Sequence, residues 1–257
     1  MTAGPLAGRG VLITRPAHQA GPLAALIHAE GGRPVIFPAL EILDPADPQP
    51  LLDAIERLES YDLAIFISPN AVTRVMERMA GRRAWPTGLR AAAIGKGGAR
   101  ELELHGIHEV IAPQRSFDSE RLLEMPQLQA VSGQRVLILR GDGGRELLGD
   151  TLAARGAQVD YVACYHRARP QTDPGPLLQA WGHDGIHATV VTSSEGLRNL
   201  FVMLGKPGET LLQHTPLLVP HPRIAAVARE LGCREVIETA PGDDGLIASL
   251  IQRFAAK

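Results

Sequence analysis

Short, continuously apolar runs alternate along this chain with longer segments whose apolar positions recur at helical spacing. VLIT (11–14), PVIF (34–37), LAIFI (63–67), AAAIG (91–95) and EVIA (109–112) are each four or five residues long. Their brevity and their β-branched content predict strands rather than buried helix. GPLAALIHAEGG (21–32) predicts a helix with Pro22 in its first turn and a stop at Gly31-Gly32. DGGRELLGDTLAARG (142–156) predicts another that stops at Gly156 in the same way. Strands alternating with helices imply a parallel sheet covered on both faces, with right-handed crossovers.

The pattern occurs twice. VLITRP (11–16) returns as VLILRG (136–141), so that Arg140 follows Arg15 by 125 positions (140 − 15 = 125). At the same offset Ser68 of IFISPNAV falls on Ser193 of VVTSSEGL, and Ile94 falls on Val219. Gly106 and Gly232 lie 126 apart, Gly32 and Gly156 lie 124 apart. Landmarks in the same order at nearly one offset indicate a duplicated unit: strand, helix, strand, two more strand–helix pairs and a last short strand. The expected class is α/β with two similar lobes.

Proline-rich segments mark joints, because proline biases its neighbourhood to extended backbone. FPALEILDPADPQP (37–50) and YHRARPQTDPGP (165–176) both follow the second strand of a unit. The boundary between the units, MPQLQAVSGQ, reads as an ordinary loop. Joints in those places predict lobes made by exchange: 1–38 with 171–257, and 46–163, with 39–45 and 164–170 as hinge strands.

The chain has 257 residues and a net charge of −2, so no global charge points to nucleic acid or an acidic membrane surface. No apolar run approaches the roughly 20 residues needed to span a bilayer, and MTAGPLAGRG has no signal-peptide core. These features read as a soluble cytoplasmic protein. Cys164 and Cys233 make no framework and read as reduced, buried thiols. His105, His108, His183 and His187 show no metal spacing and read as surface residues.

In open parallel sheets, ligands bind beyond the carboxyl ends of the strands. The residues there are Thr14-Arg15, Ser68-Pro69-Asn70, Gly95-Lys96-Gly97, Arg140-Gly141-Asp142, Thr192-Ser193-Ser194 and Pro220-His221-Pro222-Arg223. Cations, hydroxyls and backbone N–H groups at helix starts favour anions. Two such rims suit a ligand with several acidic groups. Plainer readings stand beside this one. Ser68 and Ser193 are good N-caps, RGDGGRE also reads as a turn, and Arg140 also reads as half of a structural ion pair. No Ser–His–Asp set is recognisable.

Taken in order, VLITRP, DLAIFISPNAV, AIGKGGAREL, VLILRGDGGRELL, VDYVACYHR, VVTSSEGL and HPRIAAVARELG resemble the uroporphyrinogen-III synthase (HemD) family over essentially the whole chain. The resemblance implies two flavodoxin-like parallel-sheet lobes joined by a two-stranded β-ladder. It also implies a reaction without cofactor or metal. Hydroxymethylbilane, a linear tetrapyrrole with eight carboxylates, loses its hydroxyl as water and closes with inversion of ring D to uroporphyrinogen III, in heme, siroheme and cobalamin biosynthesis. The bilane closes uncatalysed without inversion, so the catalyst steers geometry. By this resemblance Tyr165 is the catalytic candidate, able to donate a hydrogen bond or proton to the departing hydroxyl. Arg15, Ser68, Asn70, Lys96, Arg140, Gly141, Arg145, Ser193, His221 and Arg223 are the substrate-binding candidates. Gly98 departs from the threonine frequent in the family. A monomer is expected, with transient contact to hydroxymethylbilane synthase. The alternative is a non-catalytic module of the same fold that senses a tetrapyrrole or nucleotide.

Overall fold

A computed structural model describes residues 4–114, 118–143, 146–183 and 185–255. The chain divides into two compact units, Met1–Glu41 with Ala168–Lys257, and Ile42–Arg167. The first unit opens with β1 (Gly10–Ile13), α1 (Ala17–Ala29) and β2 (Arg33–Ile36). Next come β3 (Glu41–Leu43), α2 (Gln49–Glu56), β4 (Leu63–Phe66), α3 (Pro69–Met79), β5 (Arg90–Ala93), α4 (Lys96–Leu104) and β6 (Val110–Ile111). The second unit continues through α5 (Ser119–Leu123), α6 (Pro126–Gln129), β7 (Arg135–Gly141), α7 (Leu147–Ala154) and β8 (Gln158–Ala168). The first unit resumes with α8 (Gly175–Gly182), β9 (Ala188–Val190), α9 (Ser194–His214), β10 (Leu217–Val219), α10 (Pro222–Glu230), β11 (Val236–Glu238) and α11 (Gly242–Ala255).

The two sheets share one plan. The first has the order β11-β10-β9-β1-β2, and the second β3-β8-β7-β4-β5-β6. Numbered by their appearance in the chain, the strands of the first unit lie in the order 2-1-3-4-5. The second unit gives the same order when counted from β7, with β3 added at its edge. This is the flavodoxin-like doubly wound arrangement. Each unit therefore takes one strand–helix–strand from one repeat and three strands from the other. The joining pairs are parallel: Val11 lies opposite Ala188 and Ile13 opposite Val190, while Leu63 lies opposite Val136 and Phe66 opposite Leu139.

Both faces of each sheet are buried, which explains strands that are apolar without alternation. In the first unit Leu12 packs with Leu177, Trp181, Leu197 and Ile224, under α8, α9 and α10. Its neighbours Val11 and Ile13 point the other way, onto Leu23 and Ile27 of α1 and Leu246 and Leu250 of α11. In the second unit Leu63 and Ile65 pack with Leu122, Leu128, Leu148 and Leu152 beneath α5, α6 and α7. The alternate residues Ala64 and Phe66 are fully buried as well, and α3 and α4 pack on β4 and β5.

Three local expectations are corrected. Helix α1 begins at Ala17, so Pro22 lies inside it rather than in its first turn. The proline sits on the exposed side, where a lost backbone bond costs least, and Ala20, Leu23 and Ile27 carry the buried stripe across it. The boundary segment read as a loop contains α6, which sinks Leu128 into the core. His187 is partly buried rather than superficial, and its Nδ1 accepts the Gly10 N–H at 3.0 Å.

Gly106 ends the α4 turn at φ +82 with open space where a Cβ would stand. Only its left-handed backbone demands glycine. Gly106→Ala is expected to lower stability by about 1–2 kcal/mol, whereas Gly88→Ala, with open space and no such φ, stays within about 0.5 kcal/mol of the parent. Urea unfolding of both variants checks this.

Candidate active site

The strand order reverses between β7 and β4 in the second unit and between β1 and β9 in the first. Crevices beyond such switch points are where doubly wound sheets hold ligands.

In the second unit Ser68 follows β4 and caps α3, its Oγ accepting the Ala71 N–H at 3.2 Å. Across the switch point, β8 carries a bulge. Arg140 is opposite Ala163, but Gly141 is opposite Tyr165, so Cys164 is the extra residue. The bulge re-aims Tyr165, whose side chain is fully buried. Its hydroxyl lies 2.9 Å from Ser68 Oγ, and Arg167 Nη2 lies 3.3 Å from the same oxygen. The ring occupies the space above Gly141: a Cβ there would stand 2.7 Å from Cε2. The main chain locks the turn, with Asp142 N–H donating to Tyr165 O at 3.0 Å.

Asp142 also faces His166, with Oδ2 2.7 Å from Nδ1. That hydrogen bond holds the Asp142 carboxyl below the usual carboxylate range. Burial pushes the Cys164 thiol up to about 12, so it is neutral and unreactive at physiological pH. Arg140 stacks on the Tyr161 ring, its Cζ 4.1 Å from the centroid. Asn70 stands in the first turn of α3. Lys96 opens α4 and is exposed. Gly98 in the same helix is buried, and a Cβ there would stand 3.2 Å from Ala93 Cβ. Arg145 lies outside the described residues.

In the first unit Thr14 Oγ1 donates to Val190 O at 2.9 Å, joining the ends of β1 and β9. Ser193 caps α9 as Ser68 caps α3, accepting the Gly196 N–H at 2.9 Å. His221 caps α10, its Nδ1 accepting the Arg223 N–H at 3.0 Å, and both residues are exposed. Arg15 is ion-paired: its Nη2 lies 2.6 Å from Oδ1 of Asp243, in the first turn of α11.

The structure thus gathers Ser68, Arg140, Gly141 and Tyr165 at one switch point, and Thr14, Arg15 and Ser193 at the other. His221 and Arg223 stand beyond β10, one strand outward from β9. Sequence reasoning missed Asp243, Tyr161, His166 and Arg167 as partners. Arg167 carried a usable signal, standing two positions from Tyr165 on one strand; Tyr161 carried none, because the bulge turns it to the other face from Tyr165, and neither did Asp243, distant in sequence from Arg15. Among the described residues no cluster of three or more metal-ligating side chains occurs, and no helix is long and apolar enough to cross a membrane.

Fold and rims define a class: an α/β protein of two doubly wound units whose strand ends present cations, capping hydroxyls and a buried phenol. The model of the family described as uroporphyrinogen-III synthase HemD matches residues 21–248. The chain is 35% identical over 243 residues to the uroporphyrinogen-III synthase of Salmonella typhimurium, covering 93% of this chain and 99% of that one. It is 34% identical to the Escherichia coli enzyme with the same coverage. A crystal structure of a mutant uroporphyrinogen III synthase from Thermus thermophilus shares the fold, with a TM-score of 0.60 over 96% of this chain and 99% of that one, at 19% identity. The chain belongs to the uroporphyrinogen-III synthase family, enzymes of tetrapyrrole biosynthesis.

Gly141→Ala should eject the Tyr165 ring, because the new methyl and the ring claim the same space. The expected loss is about 1–3 kcal/mol, with a changed tyrosine signal in near-ultraviolet circular dichroism. Gly21→Ala, in open space on α1, should change neither. A Gly141→Ala chain with parental stability and spectrum would mean that the ring is not seated by this contact.

Proposed function

We propose that this chain converts hydroxymethylbilane to uroporphyrinogen III, with loss of water and inversion of ring D. The observation that carries the reading is the family match across residues 21–248. The chemistry of the strand ends supports it. A substrate with many carboxylates suits rims made of cations and helix N-termini, since charge-assisted hydrogen bonds are strong and directional. In this reading Arg15, Ser68, Asn70, Lys96, Arg140, Gly141, Arg145, Ser193, His221 and Arg223 hold carboxylates through side chains or backbone N–H groups. Positioning of this kind supplies up to roughly 7–11 kcal/mol of a barrier, which is the contribution a reaction with a competing uncatalysed closure requires.

Tyr165 supplies the acidic hydrogen. Its phenol is buried but touches the hydroxyl of Ser68, a partly exposed residue. The phenol proton passes to Ser68 Oγ as the Ser68 proton passes to the substrate hydroxyl. The carbon–oxygen bond breaks and water leaves. Arg167 Nη2, 3.3 Å away, stabilises the phenolate. The substituted α-carbon of ring D bonds the freed methylene, its old bond to the bridging methylene breaks, and that bridge rebonds at the other α-carbon, whose lost proton restores the phenol. The enzyme works in this reading as a cytoplasmic monomer that takes its unstable substrate from hydroxymethylbilane synthase. The modest net charge of −2 agrees with a small-molecule role.

A coupled assay tests both parts. Porphobilinogen and hydroxymethylbilane synthase generate the substrate, and oxidised products are separated into type I and type III isomers. The chain should yield type III. Tyr165→Phe should lower kcat by about tenfold to hundredfold, at or below the low end for general acid assistance, with type III still dominant. An undiminished rate would remove Tyr165 from the chemistry. Type I made at an undiminished rate of bilane consumption would assign it to ring orientation instead.

A further inference from the structure

The two strand-end arginines are equivalent by the repeat and unlike in their surroundings. Arg15 is neutralised by Asp243 at 2.6 Å. Among the described residues no carboxylate pairs with Arg140. Its Nη1 is shielded from solvent and has no acceptor there. What it has is an aromatic face, the Tyr161 ring 4.1 Å from Cζ. The repeat position of Tyr161 is Ile36 (161 − 125 = 36), half exposed and unable to serve a cation in this way.

Tyr161 is itself fixed at both ends. Its ring packs against the core that includes Ile138, Leu148 and Leu152. Its hydroxyl accepts the Gly149 N–H at 3.0 Å and donates to Glu146 O at 3.0 Å, at the start of α7. Residue 149 has to be glycine for this: a Cβ would stand 2.1 Å from the phenol oxygen. The ring is thus a rigid platform under the guanidinium. A quadrupole attracts a cation without occupying its hydrogen-bond donors, whereas a carboxylate partner occupies them. A donor kept from water and from any acceptor is a destabilised group, and no acceptor among the described residues competes with a substrate carboxylate for this guanidinium.

We propose that Tyr161 is a positioning residue for substrate capture: it holds Arg140 through its π face so that the guanidinium keeps its charge and a free donor for a substrate carboxylate. The inference rests on the reading of Arg140 as a substrate contact. It makes Arg140 the stronger of the two strand-end arginines, because Arg15 must first leave Asp243.

The test replaces residue 161 by phenylalanine and by mono-, di- and trifluorinated phenylalanines, which weaken the quadrupole and keep the shape. Tyr161→Leu and Arg140→Met complete the set, all assayed for type III product from hydroxymethylbilane. KM should rise stepwise with fluorination, and by about two- to thirtyfold for Tyr161→Leu relative to Tyr161→Phe. Through the fluorinated series kcat and melting temperature should stay level. The series should go flat when combined with Arg140→Met. A flat series in an otherwise native chain, with KM raised by Arg140→Met alone, overturns the role of Tyr161 and leaves Arg140 as a contact. An unchanged KM in Arg140→Met overturns the underlying reading of Arg140. Because the fluorinated variants preserve the core, the result stands even if Tyr161→Leu fails to fold.

Discussion

The parallel pairing of strands from distant parts of the chain is the constraint on which the rest depends. β1 finds its inner neighbour in β9, and β4 finds its own in β7. Parallel strands need long crossovers, and a sheet buried on both faces needs helices on each side. No single repeat spends its five strands in one place. Each of these two pairings completes a doubly wound sheet and creates the reversal of strand order beyond which ligands bind. Ser68 meets Tyr165 because β4 and β8 flank β7. Thr14 reaches the end of β9 because β1 lies beside it.

Within those rims the chemistry is rich in donors, and the acids Asp142 and Asp243 are tied to His166 and Arg15. Capping serines and helix N-termini offer N–H groups, and the cations stand at strand ends. The one buried phenol of the rim is held by a bulge, a glycine and a serine. Such a site shapes a flexible polyanion more readily than it activates a nucleophile. That division of labour suits a cyclisation whose difficulty lies in which carbon of ring D closes the macrocycle.

The α/β class was legible because short apolar runs and helical-period segments alternate, and the duplication because Arg15, Ser68 and Ile94 recur as Arg140, Ser193 and Val219. The family was legible in the ordered motifs. What the sequence withheld were contacts made across the sheet. The Arg15–Asp243 pair joins residues at opposite ends of the chain. The bulge that places Tyr165 over Gly141 depends on register, and no residue type announces it. Helix α1 extends past Pro22 because burial of Ala20, Leu23 and Ile27 outweighs one missing backbone bond.

The central claim is that each unit meets its ligand at its own switch point. Amide chemical-shift mapping with the reduced product, uroporphyrinogen III, under anaerobic conditions tests it most directly. The account predicts the largest changes at residues 14–15 and 192–196 in the first unit and at 68–71 and 140–142 in the second. Shifts confined to the amino ends of the strands, or to the outer faces of the helices, would contradict it.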